Sequence, residues 1–132
     1  MNSILFDSFA MLRFFYQETG AEKLRDLLRE ATKSEVPRLI SAMNVGELIY
    51  ITRRRSGEVA KLQMLVNLKS LGFTLLPCPN DLIFRAAELK ARFPMSYADT
   101  FAVASAIEHN ATLVTGDPEF RQVEHLVKIL WI

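Results

Sequence analysis

The sequence predicts an α/β fold in which a parallel β-sheet is covered by helices on both faces. Short apolar runs typical of strands alternate along the chain with longer segments of helical spacing. Strands that alternate with helices favour a parallel sheet, because the chain must cross back over the sheet between parallel neighbours. The chain of 132 residues contains no long linker, repeat or low-complexity stretch, so we expect one domain over residues 1–132.

The elements follow from the spacing of apolar residues. Strands are predicted at residues 3–6, 37–41, 72–76, 112–115 and 127–131. Helices are predicted in pairs, at 9–17 and 21–32, at 44–55 and 58–71, and at 81–92 and 97–110. The last helix is small or apolar almost all round, which predicts burial in the middle of the fold. Its first turn nevertheless carries Asp99, and an unpaired buried charge is costly.

The composition is typical of a globular protein. Half of the residues are hydrophobic and 23% are charged, and no apolar run approaches the length of a membrane span. The N-terminus lacks the basic-then-apolar pattern of a signal peptide. The single cysteine, Cys78, excludes an internal disulfide and a Cys-x-x-Cys metal site. We therefore expect a cytoplasmic protein that does not associate with membranes.

The charge of the chain is informative through its distribution. A net charge of +1 gives no general argument for binding nucleic acid. If four of the 15 acidic residues gather in one site, however, 11 remain against 16 lysines and arginines. The surface around such a site would then be basic.

Four acidic residues fall where a strand ends or a helix begins. Asp7 directly follows the first strand, and Asp117 comes one residue after the fourth. Glu47 and Asp99 each lie three residues after a candidate helix N-cap. Taken singly, each acid is explained by capping: Asn44 with Glu47 and Ser96 with Asp99 have the spacing of capping boxes, and both strand-end aspartates suit N-cap positions.

Taken together, the four acids favour a metal site. Ligand sites in open parallel sheets form beyond the carboxyl ends of the strands, where the following helices also begin. Carboxylates that converge there would repel one another, and a divalent cation would remove the conflict. Carboxylate oxygens suit Mg²⁺ or Mn²⁺, and the sequence has no cluster of His or Cys residues that would select zinc.

The chain resembles the PIN domain family, and within it the VapC-type toxins of toxin–antitoxin pairs. The resemblance is carried by ILFDSFAML, SAMNVGELIYITRRRSGE, GFTLLPCPNDLIFRAAELKAR, SYADTFAVASAIEHNATLVTGDPEF and VKILWI, and so covers nearly the whole chain. It implies a three-layer sandwich whose five-stranded parallel sheet has the order 3-2-1-4-5 and is flanked by helices. The family's acidic quartet falls on Asp7, Glu47, Asp99 and Asp117, and its accompanying hydroxyl residues on Ser8 and Thr115.

This resemblance implies a metal-dependent endoribonuclease. One or two Mg²⁺ ions, or Mn²⁺ in their place, would activate water and polarise the scissile phosphate of RNA. It also implies a homodimer that is inhibited by a VapB-like antitoxin. Phe9 departs from the family, in which many members carry a smaller or polar residue at this position. We expect this departure to alter the substrate groove and to leave metal binding intact.

Arg53, Arg54 and Arg55 follow Glu47 on the same predicted helix and have two interpretations. A basic helix C-terminus complements the helix dipole. The alternative is contact with RNA phosphates or with the antitoxin at the rim of the site.

Two other functions compete with the nuclease prediction. A phosphoacceptor signalling domain has a similar length and pattern, but needs an acid at the end of the middle strand and a lysine after a later one. Here the strand at 72–76 leads into Pro77-Cys78-Pro79, with no acid before Asp81. A catalytically weak PIN domain that binds RNA or protein is the other alternative, and the presence of all four acids argues against it.

Overall fold

Strands and helices alternate in the computed structural model, which describes residues 2–132. The strands are β1 (Ile4–Phe6), β2 (Arg38–Ser41), β3 (Phe73–Leu76), β4 (Thr112–Thr115) and β5 (Ile129–Trp131). The helices are α1 (Ser8–Phe15), α2 (Ala21–Lys33), α3 (Ala42–Ser56), α4 (Glu58–Ser70), α5 (Asn80–Arg92) and α6 (Tyr97–Glu108). A 3₁₀ helix, Pro118–Val123, connects β4 to β5.

All five strands are parallel and lie in one sheet of order β3-β2-β1-β4-β5, which confirms the predicted topology. The central strand is β1, whereas in the flavodoxin-like order of phosphoacceptor domains it is the third strand. Phe6 of β1 lies opposite Val114 of β4. Asp7 and Thr115 therefore come next to each other at the carboxyl edge of the sheet.

The sheet is covered on both faces, as expected for a three-layer sandwich. Successive side chains of a strand point to opposite faces. Ile4 and Phe6 of β1 accordingly pack against α1 to α4, and Leu5 packs against the α5–α6 side. The central strand β1 therefore reads as a continuous apolar run rather than an alternating one.

Helix α6 is buried, as its composition predicts. Every residue from Asp99 to Ala106 is inaccessible or nearly so. Ser96 caps the helix by accepting a hydrogen bond from the Asp99 amide at 3.1 Å. Asp99 is thus held at the start of a helix that the core fixes in place.

One predicted cap is wrong. Helix α3 begins at Ala42, and its N-cap is Ser41, whose hydroxyl accepts a hydrogen bond from the Met43 amide. Asn44 lies inside the first turn and is fully buried. The helix begins earlier than predicted because Ser41 both ends β2 and supplies the capping oxygen.

Within residues 2–132, no helix is both long enough and apolar enough to span a membrane.

Candidate metal centre

Asp7 is the most deeply buried carboxylate at the carboxyl edge of the sheet, with no accessible surface. It caps α1: one carboxylate oxygen accepts a hydrogen bond from the Ala10 amide at 2.8 Å. The other accepts one from the Thr115 hydroxyl at 2.6 Å. Burial raises the pKa of Asp7 to about 7, and the negative charges of Asp99 and Asp117 add to this, while the two hydrogen bonds act in the opposite direction.

Asp99 faces the same edge from the first turn of α6 and is 8% exposed. Burial raises the pKa of this carboxyl group to about 6, and the neighbouring charges of Asp117, Glu47 and Glu119 raise it further. A hydrogen bond with Ser96 opposes the shift. The carboxylates of α3, α6 and the β4–β5 connection are thus close enough to influence the pKa of Asp99.

Glu47 is held by neighbours from two helices. Its Oε1 accepts hydrogen bonds from the Ser8 hydroxyl at 2.7 Å and from the Asn44 side-chain amide at 3.1 Å. The same amide nitrogen donates to the carbonyl of Ala98 at 3.3 Å, just before Asp99. Asn44 therefore joins Glu47 of α3 to the start of α6.

Asp117 caps the 3₁₀ helix by accepting a hydrogen bond from the Glu119 amide at 3.0 Å. Its own amide donates to the Thr115 hydroxyl at 3.0 Å. Because that hydroxyl also donates to Asp7, Thr115 fixes two of the four acids relative to each other.

The structure also brings Glu119 into the site. One carboxylate oxygen from each of Asp99, Asp117 and Glu119 lies within 4.8 Å of the other two. Sequence reasoning missed Glu119 because it matches neither a strand end nor a capping pattern. The sequence feature that could have indicated Glu119 is its position two residues after Asp117, at the start of a 3₁₀ helix.

The donor set fits a hard divalent cation. Carboxylate oxygens are the ligands preferred by Mg²⁺ and Mn²⁺. Three of them, from Asp99, Asp117 and Glu119, lie within 4.8 Å of one another, whereas Asp7 and Glu47 lie outside this group. Over residues 2–132, none of these five carboxylates has a Lys, Arg or His nitrogen within 4.0 Å. The shared negative charge thus lacks a protein cation to balance it.

Comparison with known proteins decides the family. The sequence matches the PIN domain over residues 4–126. The chain belongs to the PIN domain family. No curated protein sequence matches it significantly.

Solved structures share the fold of this PIN domain. DNA-bound VapBC from Salmonella typhimurium is similar with a TM-score of 0.80 and 17% identity, over 98% of each chain. The sarcin–ricin loop cleaving toxin VapC20 from Mycobacterium tuberculosis has a TM-score of 0.75 and 18% identity, over 92% of this chain and 95% of that one. FitAcB from Neisseria gonorrhoeae has a TM-score of 0.71 and 19% identity, over 96% of each chain.

Among the described residues of this PIN domain, the three arginines at the end of α3 form no ion pair with the acids of the candidate site. Arg53 pairs with Glu58 at 3.3 Å, and Arg55 pairs with Glu18 at 3.7 Å. Arg54 stands over the ring of Tyr50 at 5.4 Å. All three arginines are exposed, in the last turn of α3. These contacts are compatible with either interpretation, so contact with RNA or antitoxin stays a prediction.

Proposed function

We propose that this PIN domain is a Mg²⁺- or Mn²⁺-dependent endoribonuclease, the toxin of a VapBC-type toxin–antitoxin pair. The observation that carries the proposal is the convergence of acids, two of them buried, on one edge of the sheet without a protein cation. Asp7 and Asp99 are the clearest cases, since burial raises the pKa of both carboxyl groups. Natural selection for stability alone would disfavour such an arrangement, because burying unpaired charge is costly. Strong pKa shifts of this kind are typical of functional sites.

The acids of the candidate site have two tasks in the proposed reaction, holding the ions and orienting the attacking water. Asp7, Asp99 and Asp117 hold one or two divalent ions, and Glu47 either holds an ion or orients the attacking water. Glu119 adds a further carboxylate beside Asp117. When bound, the ions polarise the scissile phosphate, lower the pKa of a bound water and stabilise the leaving oxygen.

The hydroxyl residues act through the carboxylates. Ser8 donates to Glu47 and Thr115 donates to Asp7, so each fixes the orientation of an acid. Hydrogen bonds of this kind around metal ligands set ligand geometry and affinity. The reaction is hydrolysis of a phosphodiester bond in single-stranded or loop RNA.

The partners follow from the same proposal. Structures that share the fold include VapBC and FitAB assemblies bound to DNA. This likeness supports a VapB-like antitoxin as the partner of this chain. We further propose that the protein is a cytoplasmic homodimer.

The cleavage reaction tests the proposal through single substitutions. We expect Asp7→Ala and Asp99→Asn to reduce Mg²⁺-dependent cleavage of RNA by at least about a hundredfold, because each removes a proposed ligand. Asp26→Asn, on the exposed face of α2, is the matched control and should cleave like the wild type. Circular dichroism checks that all variants are folded.

Two results would contradict the proposal. One is cleavage by both Asp7→Ala and Asp99→Asn at the wild-type rate. The other is wild-type cleavage that continues at full rate after removal of divalent ions with EDTA.

A further inference from the structure

Next to the acidic cluster, Phe9 and Arg13 form a pair on α1 that the metal centre does not use. The two residues are one helical turn apart and therefore lie on the same face. The guanidinium carbon of Arg13 stands 4.9 Å from the centre of the Phe9 ring, within the range of a cation–π contact. Both side chains are half-buried, so part of each faces solvent.

Phe9 lies next to the candidate site both in sequence and in space. Phe9 follows Asp7 and Ser8 directly, and its ring lies against Gly116, between Thr115 and Asp117. A Cβ atom added at Gly116 would be 2.8 Å from Cε1 of Phe9, too close without movement. The ring is thus in contact with the backbone turn that carries Asp117.

Arg13 carries a charge that no protein acid offsets. In the described part of the chain, no carboxylate lies within 4.0 Å of its guanidinium group. Arg53 and Arg55, by contrast, have glutamate partners. A partly buried arginine that lacks a carboxylate partner and contacts the ring beside Gly116 is suited to an anionic ligand that reaches this turn.

A second pair of the same kind borders the same turn. Arg121 stands over the ring of Trp131 at 5.5 Å, and Trp131 lies opposite Thr115 in the sheet. Two aromatic residues, each in contact with an arginine, therefore lie next to the segment Thr115–Gly116 that precedes Asp117. Aromatic rings and guanidinium planes stack nucleobases, and arginines bind phosphates, which is the combination that recognises single-stranded nucleic acid.

We propose that the Phe9–Arg13 pair is the nucleotide-binding platform of this protein, on which a base next to the scissile phosphate stacks while Arg13 contacts the adjoining phosphate. This inference rests on the proposed function for the identity of the ligand, single-stranded RNA. Phe9 and Arg13 are binding residues in this account, and they take no part in the chemistry.

Binding without cleavage tests the platform separately from catalysis. The probe is a fluorescein-labelled single-stranded RNA dodecamer, measured by fluorescence anisotropy in EDTA with the Asp99→Asn protein. We expect Phe9→Leu to weaken binding about tenfold, because stacking is lost while an apolar side chain is kept. Phe9→Tyr should bind like the parent, since it retains the ring.

Arg13→Gln provides an independent variant that leaves Phe9 in place. It should reduce the slope of log affinity against log salt by about 0.7, the value for one phosphate contact in a single strand. Arg29→Gln, on the exposed surface of α2, should leave the slope unchanged. A 2-aminopurine base in the dodecamer should lose fluorescence on binding to the parent, and lose much less on binding to Phe9→Leu.

The outcomes separate this proposal from the nuclease. The proposed platform would be overturned if folded Phe9→Leu and Arg13→Gln bind RNA with unchanged affinity. It would also be overturned if the parent binds no RNA, and a protein would then be the expected ligand of this surface. Failure of metal-dependent cleavage, with the expected binding differences intact, would count against the nuclease alone.

Discussion

Asp7 illustrates how a single residue carries both the fold and the chemistry. It caps α1, and its two oxygens accept hydrogen bonds from Ala10 and Thr115. These bonds do not fully offset the loss of water, and burial raises its pKa to about 7. Without a cation, Asp7 therefore keeps its proton up to about pH 7, whereas the unfolded chain releases it near pH 4.

The sign of this linkage gives a stability prediction. Between the unfolded and folded pKa values, the folded state binds more protons, so the free energy of unfolding of the metal-free protein falls as pH rises from about 4 to 7. Above about pH 7, Asp7 is ionised in both states and its contribution stays at its most unfavourable.

Asp7→Asn removes this unfavourable contribution. Its side-chain oxygen can still accept from Ala10, and its amide nitrogen can donate to the Thr115 hydroxyl. At pH 8 in EDTA we expect its thermal unfolding midpoint to rise by several degrees, with a smaller gain at pH 5. Asp26→Asn is the control and should unfold at the wild-type midpoint. If Asp7→Asn unfolds at or below the wild-type midpoint at pH 8, the raised pKa of Asp7 is contradicted.

Glu119 shows what residue-by-residue reading of the sequence can miss. In the sequence, Asp7 and Asp117 follow strand ends, and Glu47 and Asp99 have the spacing of capping boxes, so these patterns single them out. The structure keeps Asp99 in the first turn of its helix but places Glu47 in the second turn of α3. Glu119 is exposed and approaches Asp99 from another part of the chain. That distance depends on how the 3₁₀ helix meets α6, which local spacing does not specify.

At the scale of secondary-structure elements, Asn44 connects α3 to α6. Its amide nitrogen is shared between Glu47 and the carbonyl of Ala98, and its Oδ1 is buried without a hydrogen-bond partner among the described residues. The side chain of Asn44 therefore links the first turns of α3 and α6 by hydrogen bonds. Its position in the sequence suggested a local cap instead, because the contact with Ala98 spans 54 residues of sequence.

Replacing this connection should affect both stability and the metal site. We expect Asn44→Ala to lower the free energy of unfolding by about 1 kcal/mol, because the buried side chain loses its hydrogen bonds to Glu47 and to the Ala98 carbonyl. Mn²⁺ affinity should also fall by about tenfold or more, since Glu47 loses one of its two hydrogen bonds. Urea unfolding and Mn²⁺ titration measure the two effects.

Asn67→Ala, on α4, is the matched control for Asn44→Ala. Its side chain accepts a hydrogen bond from exposed Gln63, away from the acids. Mn²⁺ affinity that is equal in both variants would show that Asn44 does not position Glu47.

At the scale of the whole molecule, the strand order places the acids together. Because β1 and β4 are adjacent and parallel, Asp7 and Thr115 meet at one edge, and α3 and α6 start above it. Periodicity predicted the elements, and the family resemblance implied the order of the strands. The exact helix starts and the long-range hydrogen bonds could not be predicted from spacing, because side chains from distant segments determine them.

Direct measurement of Mn²⁺ binding by isothermal titration calorimetry is the sharpest test of the metal centre. The account predicts that the wild type and Asp26→Asn bind Mn²⁺ with similar affinity at pH 7.5, and that Asp99→Asn binds it at least about tenfold more weakly. Absence of binding by the wild type, or equal binding by Asp99→Asn, would contradict the central claim that these carboxylates form a divalent-cation site.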